Sequence, residues 1–485
     1  MIARLVWASF LQRPGRSLLL LAGYALGVGV TIVLLSVGGA LVEQARDKEL
    51  VGGGDLIVLP TGIDLETLKT GGVGSMFFSI EQASLLYRQV LAGGRFEDRV
   101  AAAAPWIDDE LLYLEADSGL VPISAGATIP GLAESLDVAP TLVAGTWQDL
   151  EADRRWRDPT DAELYRSLDA LHMPAGSAAR DSTWAEWHYF NVLLPDSGWL
   201  YLTYMIAGQV PDGRWGGRML ATRVRPGSVD RVYDGRVPAE GVTFVEGLPD
   251  LVIGGSSVTI EDDGSYTLFA RIPSETGGAP LTVDLTVAAH SRRYLPPVEI
   301  GGEGIVSGYA VPLLDARASG RVCEGSRCRR IEAAQSYHDH NWGTWGGVTW
   351  DWGQAQAGGY SVLYGGVSDG ERERGATGPR ILYLADADGF AGIFSIRRLT
   401  TWRADGSGRT APDSISILAT SGVDSVALSI DVSHTRATPV PVWVDSPAAL
   451  FFQMRGSASL SGRLRGTAIH GEGDGFFETW TRPFR

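Results

Sequence analysis

The group of residues best suited to chemistry is the sequence Tyr-His-Asp-His-Asn-Trp-Gly, centred on His340. Successive side chains of a β-strand point to opposite faces, so a strand here would place His338, His340 and Trp342 on one face. Asp339 and Asn341 would lie on the other face. Histidine exchanges protons near neutral pH, and tryptophan provides an apolar wall. The spacing therefore predicts a pocket suited to proton transfer beside an apolar ligand.

A second group, Trp-Ala-Glu-Trp-His-Tyr-Phe-Asn, begins at Trp184. The same alternation places Glu186 and His188 on one face of a strand and Trp187 on the other. A third group, near the C-terminus, contains Glu478. Charged side chains are rarely buried, so we expect Glu478 to be a solvated carboxylate at a strand end, with a place at the pocket as the alternative.

Two other interpretations of these groups remain open. In the first, the aromatic side chains only fill a core, and backbone groups satisfy the histidines. In the second, His338 and His340 bind one metal ion, and either His188 or Glu186 completes its coordination sphere. Zinc sites usually have three or four convergent ligands, so this spacing alone does not predict a metal or another cofactor. The remaining histidines are expected to be ordinary surface or strand residues: His172, His290, His434 and His470.

The elements that position these groups are predicted to be strands. From about residue 184 the hydrophobic pattern alternates, as in Leu281–Ala288, and glycine-rich turns separate short strands. Segments 257–260 and 266–272 flank an Asp-Gly turn and predict a hairpin. Many short strands are typical of sandwiches and barrels, so we predict a mainly β chain with two successive β domains. Further strands are predicted at 380–384, 391–402, 414–418 and 425–432.

The N-terminal segment 17–42 is uncharged and strongly apolar. As a helix of ~1.5 Å per residue it would be ~39 Å long, enough to cross a ~30 Å hydrocarbon core. A secretory signal has a shorter apolar stretch, which makes a cleaved peptide the less favoured interpretation. Arg4, Arg13 and Arg16 precede the segment, so the positive-inside rule places residues 1–16 in the cytoplasm. We predict a single-pass membrane protein whose main part is periplasmic or extracellular.

Residues 43–172 predict a small mixed α/β region. The pattern indicates a strand at Asp55–Leu59, a helix at Ile80–Leu91 and a polar, helix-prone connector at 148–172. With the apolar segment, roughly the first 150 residues resemble the first helix and early extracytoplasmic domain of MacB/FtsX-type ABC transporter permeases. That resemblance implies ABC transporter subunits as partners.

Charge and cysteine content limit the partners and the compartment. The net charge of −16 is opposite to the charge of a phosphate-binding surface and argues against nucleic acid as a partner. Cys323 and Cys328 flank the turn-like tetrapeptide Glu-Gly-Ser-Arg in a region of strand character. In an oxidising compartment, two cysteines across a short hairpin predict a disulfide.

Three motifs carry a family resemblance. The sequences EWHYFN (186–191), YHDHNWG (337–343) and GFFETW (475–480) resemble the hydroxyneurosporene synthase (carotenoid 1,2-hydratase) and AttH-like family. The likeness covers about residues 184–485. It implies two tandem lipocalin-like β-barrel domains, which we place at 173–352 and 353–485. It also implies a cofactor-free reaction that adds water to the terminal double bond of an isoprenoid.

The resemblance also suggests roles for individual residues. The histidine and tryptophan of the family motif correspond to His340 and Trp342. Tyr364 is the candidate for a downstream tyrosine, but glycine stands at 366, where the hydratases have an aspartate. The acid would then come from Glu186, Asp339, Asp351 or Glu478. The predicted catalytic residues are His340, Trp342, Tyr364 and Asp339, and the predicted pocket residues are Glu186, Trp187, His188, Tyr337, His338, Asn341, Trp345 and Glu478.

Two functions are consistent with this interpretation. The first is a membrane-anchored, lipocalin-like protein that binds an apolar isoprenoid or lipid outside the cytoplasm, beside an ABC transporter. The second is a cofactor-independent hydratase-like or cyclase-like enzyme acting on such a ligand. A carboxyl group within hydrogen-bond reach of His340 would favour the enzyme, whereas a uniformly apolar pocket would favour the binding protein.

Overall fold

The computed structural model of the chain describes the part that carries all of the predicted site residues. The apolar segment 17–42 lies outside the described residues except for 22–25 and 28–30, and the predicted strand Asp55–Leu59 lies wholly outside them. No helix within the described part is long and apolar enough to span a membrane. The described residues are 14–15, 22–25, 28–30, 80–96, 98–105, 107–116, 119–135, 148–174, 181–210, 214–302, 305–345, 348–369, 381–402, 412–440 and 449–481.

The chain divides into two compact units. Residues 1–87 and 99–153 form one, and residues 88–98 and 154–485 form the other.

The helix predicted over 80–91 is confirmed, because the α-helix Ile80–Leu85 continues directly into the π-helix Leu86–Leu91. The elements that precede the large β region are helix α1 (Ile80–Leu85) with its π-helical continuation (Leu86–Leu91), strands β1 (Ile107–Ala116) and β2 (Gly119–Ala127), and helices α2 (Pro130–Ser135), α3 (Glu151–Arg157) and α4 (Asp161–Leu168).

Helix α4 has a well-defined beginning and end. Thr160 is its N-cap: the Thr160 hydroxyl accepts from the Glu163 backbone N–H at 3.2 Å, and the Glu163 carboxylate accepts from the Thr160 N–H at 2.9 Å. This capping box satisfies two N–H groups that have no partner inside the helix. The helix buries Leu164, Tyr165 and other apolar residues and ends at Asp169, whose N–H donates to the Tyr165 carbonyl. The cap and the buried face together determine where Asp169 lies.

The first large sheet contains twelve antiparallel strands and is barrel-like. Along the sheet their order is β6-β5-β4-β3-β14-β13-β11-β10-β9-β8-β7, and β12 also pairs with β13. The predicted hairpin is confirmed as β9 and β10, and the predicted strand at 281–288 is confirmed as β11. The strands are β3 (Trp184–Leu193), β4 (Trp199–Gln209), β5 (Arg214–Val224), β6 (Arg231–Pro238), β7 (Val242–Phe244), β8 (Leu251–Ile253), β9 (Ser256–Ile260), β10 (Tyr266–Ile272), β11 (Leu281–Ala289), β12 (Leu295–Gly302), β13 (Ile305–Glu324) and β14 (Arg327–Thr344).

The second large sheet is a closed barrel of eight strands in sequence order, the arrangement of an up-and-down barrel. Apolar side chains such as Leu382, Leu428 and Met454 fill its interior, as expected for a barrel of this size. The mainly β class with two barrel-like sheets is therefore confirmed. The strands are β15 (Val348–Ala357), β16 (Tyr360–Asp369), β17 (Ile381–Asp386), β18 (Gly389–Trp402), β19 (Ser414–Ser421), β20 (Asp424–Val440), β21 (Ala449–Leu464) and β22 (Thr467–Thr481).

An aromatic layer joins the two sheets. Tyr189, Tyr201 and Tyr337 of the first sheet pack in one cluster with Trp352 and Phe476 of the second.

The predicted disulfide is also confirmed. Cys323 and Cys328 face each other across the β13–β14 turn and are bonded.

Gly308 of β13 is the register partner of Trp342 and leaves room for the indole ring. A Cβ at position 308 would overlap the Trp342 ring atoms Cε2, Nε1 and Cζ2. We therefore expect Gly308→Ala to lower the free energy of unfolding by about 1–3 kcal/mol, as overpacking a core does. Urea unfolding followed by tryptophan fluorescence measures the change. Gly255→Ala is the matched control because no atom would lie within 4 Å of its Cβ, and an equal loss in both variants would contradict the predicted overlap.

Candidate functional site

The two faces predicted for β14 are present in the structure. Strand β14 pairs antiparallel with β3, so that His338 lies opposite Phe190, His340 opposite His188, and Trp342 opposite Glu186. Directly opposed residues project to the same face of a sheet. This face carries what we call the histidine cluster, whose members are Asp169, His172, Glu186, His188, His338 and His340. The other face carries what we call the inter-sheet cluster, whose members are Tyr189, Tyr337, Asp339, Trp352, Gln453 and Glu478.

His340 lies between two carboxylates. Its Nε2 is 2.8 Å from Glu186 Oε1, and its Nδ1 is 3.0 Å from Asp169 Oδ1. All three side chains are fully buried. Burial alone would lower the pKa of His340, but the hydrogen bonds and charges of Asp169 and Glu186 outweigh it and raise the pKa to about 9.

Asp169 contacts two further histidines through its second oxygen. Asp169 Oδ2 is 2.9 Å from His338 Nε2 and 3.2 Å from His188 Nδ1. Burial favours the neutral acid, but the charges of His188 and His338 prevail and hold the pKa of Asp169 well below its usual range. For His188 the balance is reversed, since burial lowers its pKa against the opposing charge of Asp169.

His172 is the exposed end of the histidine cluster, with 29% of its side chain accessible. Its ring stacks on the indole of Trp342, with centroids 3.7 Å apart and an angle of 5°. Its backbone N–H donates to Glu186 Oε1 at 2.7 Å, and its Nδ1 lies 3.4 Å from the same atom. Burial would raise the pKa of Glu186, but hydrogen bonds from His172 and His340 lower it. Stacking on Trp342 therefore positions His172, the part-exposed residue that lies between Glu186 and solvent.

Sequence reasoning missed two members of this cluster. The expectation that His172 is an ordinary surface or strand residue is wrong. Asp169 belongs to none of the three sequence groups that predicted the site. Both follow the last turn of α4, three positions apart, on a segment that pairs with Gly247 and Leu248 through Leu171. The signal in the sequence was an Asp-x-x-His spacing just after an amphipathic helix. Its significance depends on where the helix packs, which the local pattern does not reveal.

The inter-sheet cluster contains the other predicted polar residues. Asp339 accepts hydrogen bonds from Asn341 Nδ2 at 2.6 Å and from Trp352 Nε1 at 3.2 Å, and the Tyr337 hydroxyl accepts from the same indole N–H. Burial raises the pKa of Asp339 to about 6, against hydrogen bonds that lower it. Asp339 therefore lies on the opposite side of β14 from His340 and contacts the second sheet.

Glu478 is also part of the inter-sheet cluster. Its Oε1 accepts from the Tyr189 hydroxyl at 3.0 Å and from Gln453 Nε2 at 2.9 Å. The expectation of a solvated strand-end carboxylate is wrong, because only 7% of this residue is exposed. Burial raises its pKa to about 8, and the nearby charge of Asp339 acts in the same direction. The strand pattern alone could not show that this face would be covered by another sheet.

The remaining predicted site residues are not members of the histidine cluster. Tyr364 is in the core of the second barrel, where its hydroxyl donates to the Phe476 carbonyl at 2.6 Å. The rings of Trp187 and Trp345 contact each other with centroids 4.7 Å apart, and Trp345 Nε1 donates to the Ala185 carbonyl. The structure thus brings together His340, Trp342, Glu186, His188 and His338, but it does not bring Tyr364 to them.

Two groups in the histidine cluster have the donor atoms of a metal site. In Asp169, His188 and His338, one ligand atom from each lies within 4.8 Å of the others, and the same holds for His172, Glu186 and His340. Imidazole nitrogens with one carboxylate are typical ligands of zinc and of other divalent transition metals.

Comparison with known proteins gives weak similarities. No family model and no curated protein matches the chain. A solved structure assigned as an AttH from Nitrosomonas europaea is 15% identical, with a TM-score of 0.41 over 64% of this chain and 96% of that one. CghA with Sch210972 is 13% identical, with a TM-score of 0.43 over 64% and 94%. Kievitone hydratase from Nectria haematococca is 15% identical, with a TM-score of 0.40 over 64% and 93%.

The raised pKa of Glu478 predicts that the stability of the protein decreases as the pH rises. The folded protein keeps the Glu478 proton up to about pH 8, whereas an unfolded chain releases it near 4.5. The contribution of protonated Glu478 to the free energy of unfolding is therefore complete below about pH 4.5 and is lost as the pH rises through 8. The free energy of unfolding falls by at most about 1.4 kcal/mol per pH unit from this cause. Glu478→Gln, which stays neutral, should flatten this decline in urea unfolding between pH 5 and 8. The control is Glu472→Gln on the same strand, whose side chain is 63% exposed. An unchanged slope in Glu478→Gln would contradict the assignment.

Proposed function

We propose that this protein is an enzyme of the hydratase class that transfers protons at the histidine cluster. The observation that carries the proposal is the position of His340, whose two ring nitrogens face the carboxylates of Glu186 and Asp169 at 2.8 and 3.0 Å. A protein that only encloses an apolar ligand has no need for two buried carboxylates beside a histidine, and burying them is costly. The carboxylates within reach of His340 therefore favour catalysis over simple binding.

Glu186 is the member of the cluster best placed to exchange a proton with a ligand. Its Oε1 is engaged by His172 and His340, whereas its buried Oε2 has no hydrogen-bond partner among the described residues. Asp169 faces the far side of His340 and holds the ring in place. The His340–Glu186 pair can therefore hold a proton, and the part-exposed His172 supplies a route to solvent.

The proposed reaction adds water to a carbon–carbon double bond. The His340–Glu186 pair gives a proton to one alkene carbon, which forms a C–H bond and leaves a cation on the neighbouring carbon. Water then forms the C–O bond and returns one proton to the pair, so that one alkene and one water become one alcohol. The family resemblance of the three motifs supports an isoprenoid as the substrate class. Glu186 would then supply the acid function that is missing at Gly366.

We also propose that the enzyme works outside the cytoplasm and is anchored by residues 17–42. The uncharged length of this segment and the disulfide between Cys323 and Cys328 support that location. The pattern of roughly the first 150 residues supports an ABC transporter as a neighbour in the membrane.

Conversion of lycopene in H₂¹⁸O tests the proposal. We expect the full chain in detergent to form a hydroxylated product that contains ¹⁸O, detected by mass spectrometry. Glu186→Gln preserves the shape of the side chain but removes the proton acceptor, so we expect a loss of about 10²–10⁴-fold in rate. Glu332→Gln on β14 is the control, because its side chain is 73% exposed.

Binding of lycopene without conversion would refute the enzyme and leave a binding protein. Quenching of tryptophan fluorescence by the bound polyene measures that binding independently of product formation. Full activity in Glu186→Gln would instead refute the assigned role of Glu186.

A further inference from the structure

We propose that the inner half of the histidine cluster binds a divalent transition-metal ion through Asp169, His188 and His338. The three ligands come from separate elements, namely the end of α4, strand β3 and strand β14. All three side chains are completely buried. This proposal goes beyond the proposed function and does not depend on it.

The spacing of the ligand atoms fits one ion. In a tetrahedral site with bonds of ~2.0–2.1 Å, neighbouring ligand atoms lie ~3.3 Å apart. Asp169 Oδ2 is 2.9 Å from His338 Nε2 and 3.2 Å from His188 Nδ1. One ligand atom from each residue lies within 4.8 Å of the other two. Small adjustments of these side chains would therefore complete three-ligand coordination.

Hydrogen-bond accounting for His338 points to the same conclusion. Its Nδ1 lies 2.9 Å from the Tyr189 carbonyl, which can only accept, so this nitrogen carries the hydrogen. A neutral ring then directs the lone pair of Nε2 at Asp169 Oδ2, which is also an acceptor. Two acceptors at 2.9 Å need a cation or an additional proton between them. A metal-bound histidine typically donates its other ring N–H to a backbone carbonyl or a carboxylate, which is the arrangement found here.

A buried histidine nitrogen lies close to Asp169 without a hydrogen bond to it. His188 Nδ1 has no hydrogen-bond partner among the described residues, although it is 3.2 Å from Asp169 Oδ2. Buried polar groups are rarely left unpaired, since each costs free energy. Atoms that converge in this way are better satisfied by an ion among them than by each other. The charge of the ion would also offset the buried charge of Asp169.

His340 would act as an outer partner of this site. Its Nδ1 faces Asp169 Oδ1, the oxygen of the carboxylate that does not face His188 or His338. Second-shell contacts of this kind orient a ligating carboxylate, and their loss costs about 10–100-fold in metal affinity. The proposal therefore predicts a graded effect, larger for His338 than for His340.

Metal content and metal affinity of the full chain test the proposal. Protein purified in detergent without chelators should contain about one equivalent of zinc or a similar metal by elemental analysis. After removal of that metal, added Co²⁺ should produce a visible absorption band, and titration with Zn²⁺ should give one site. We expect His338→Gln to weaken Zn²⁺ binding by more than about 100-fold and His340→Gln by about 10–100-fold.

The control is His290→Gln, because His290 is an exposed histidine directly after β11. Wild-type protein that holds no metal and gives no Co²⁺ band would overturn the proposal, whether or not the variants fold. An equal effect of His290→Gln would also overturn it, because it would indicate binding at surface histidines. Conversion of lycopene by metal-free protein would leave the proposed function intact, whereas metal binding without conversion would leave only the metal site.

Discussion

The pairing register of β3 with β14 is the constraint on which the rest of this site depends. It sets His340 opposite His188 and Trp342 opposite Glu186. Side chains alternate with a period of two, so a slip of one residue would move every histidine of β14 to the inter-sheet side. Strands β4 and β13 flank the pair, and the disulfide closes the turn that leads from β13 into β14. The chemistry of both faces therefore depends on one ladder of backbone hydrogen bonds.

Buried carboxyl groups adjoin both faces of this strand pair, in opposite electrostatic settings. On one face, histidines surround Asp169 and Glu186 and lower their pKa values. On the other, Asp339 and Glu478 have mainly neutral donors around them, and burial raises their pKa values. The histidine face can therefore hold charge, whereas the inter-sheet face favours neutral acids. A single β-ladder thereby separates charged carboxylates from neutral acids.

Much of the β architecture and four of the six members of the histidine cluster could be predicted from the sequence pattern. Alternation predicted the strand hairpins and the shared face of His338, His340 and Trp342, and short-range spacing predicted the disulfide. The position of Tyr364 and the burial of Glu478 were beyond such reasoning. Tyr364 faces the interior of the second barrel, and Glu478 is covered by the first sheet. Both outcomes depend on contacts between segments far apart in the chain.

The amino-acid sequence by itself determined which side chains share a strand face, because the two-residue repeat is a property of the extended backbone. It also determined that strands dominate after residue 184. Only the tertiary structure decided that Asp169 and His172, at the end of a helix, complete the cluster of β3 and β14. Helix packing depends on the shape of the whole apolar face, and no local repeat encodes where its last turn will lie.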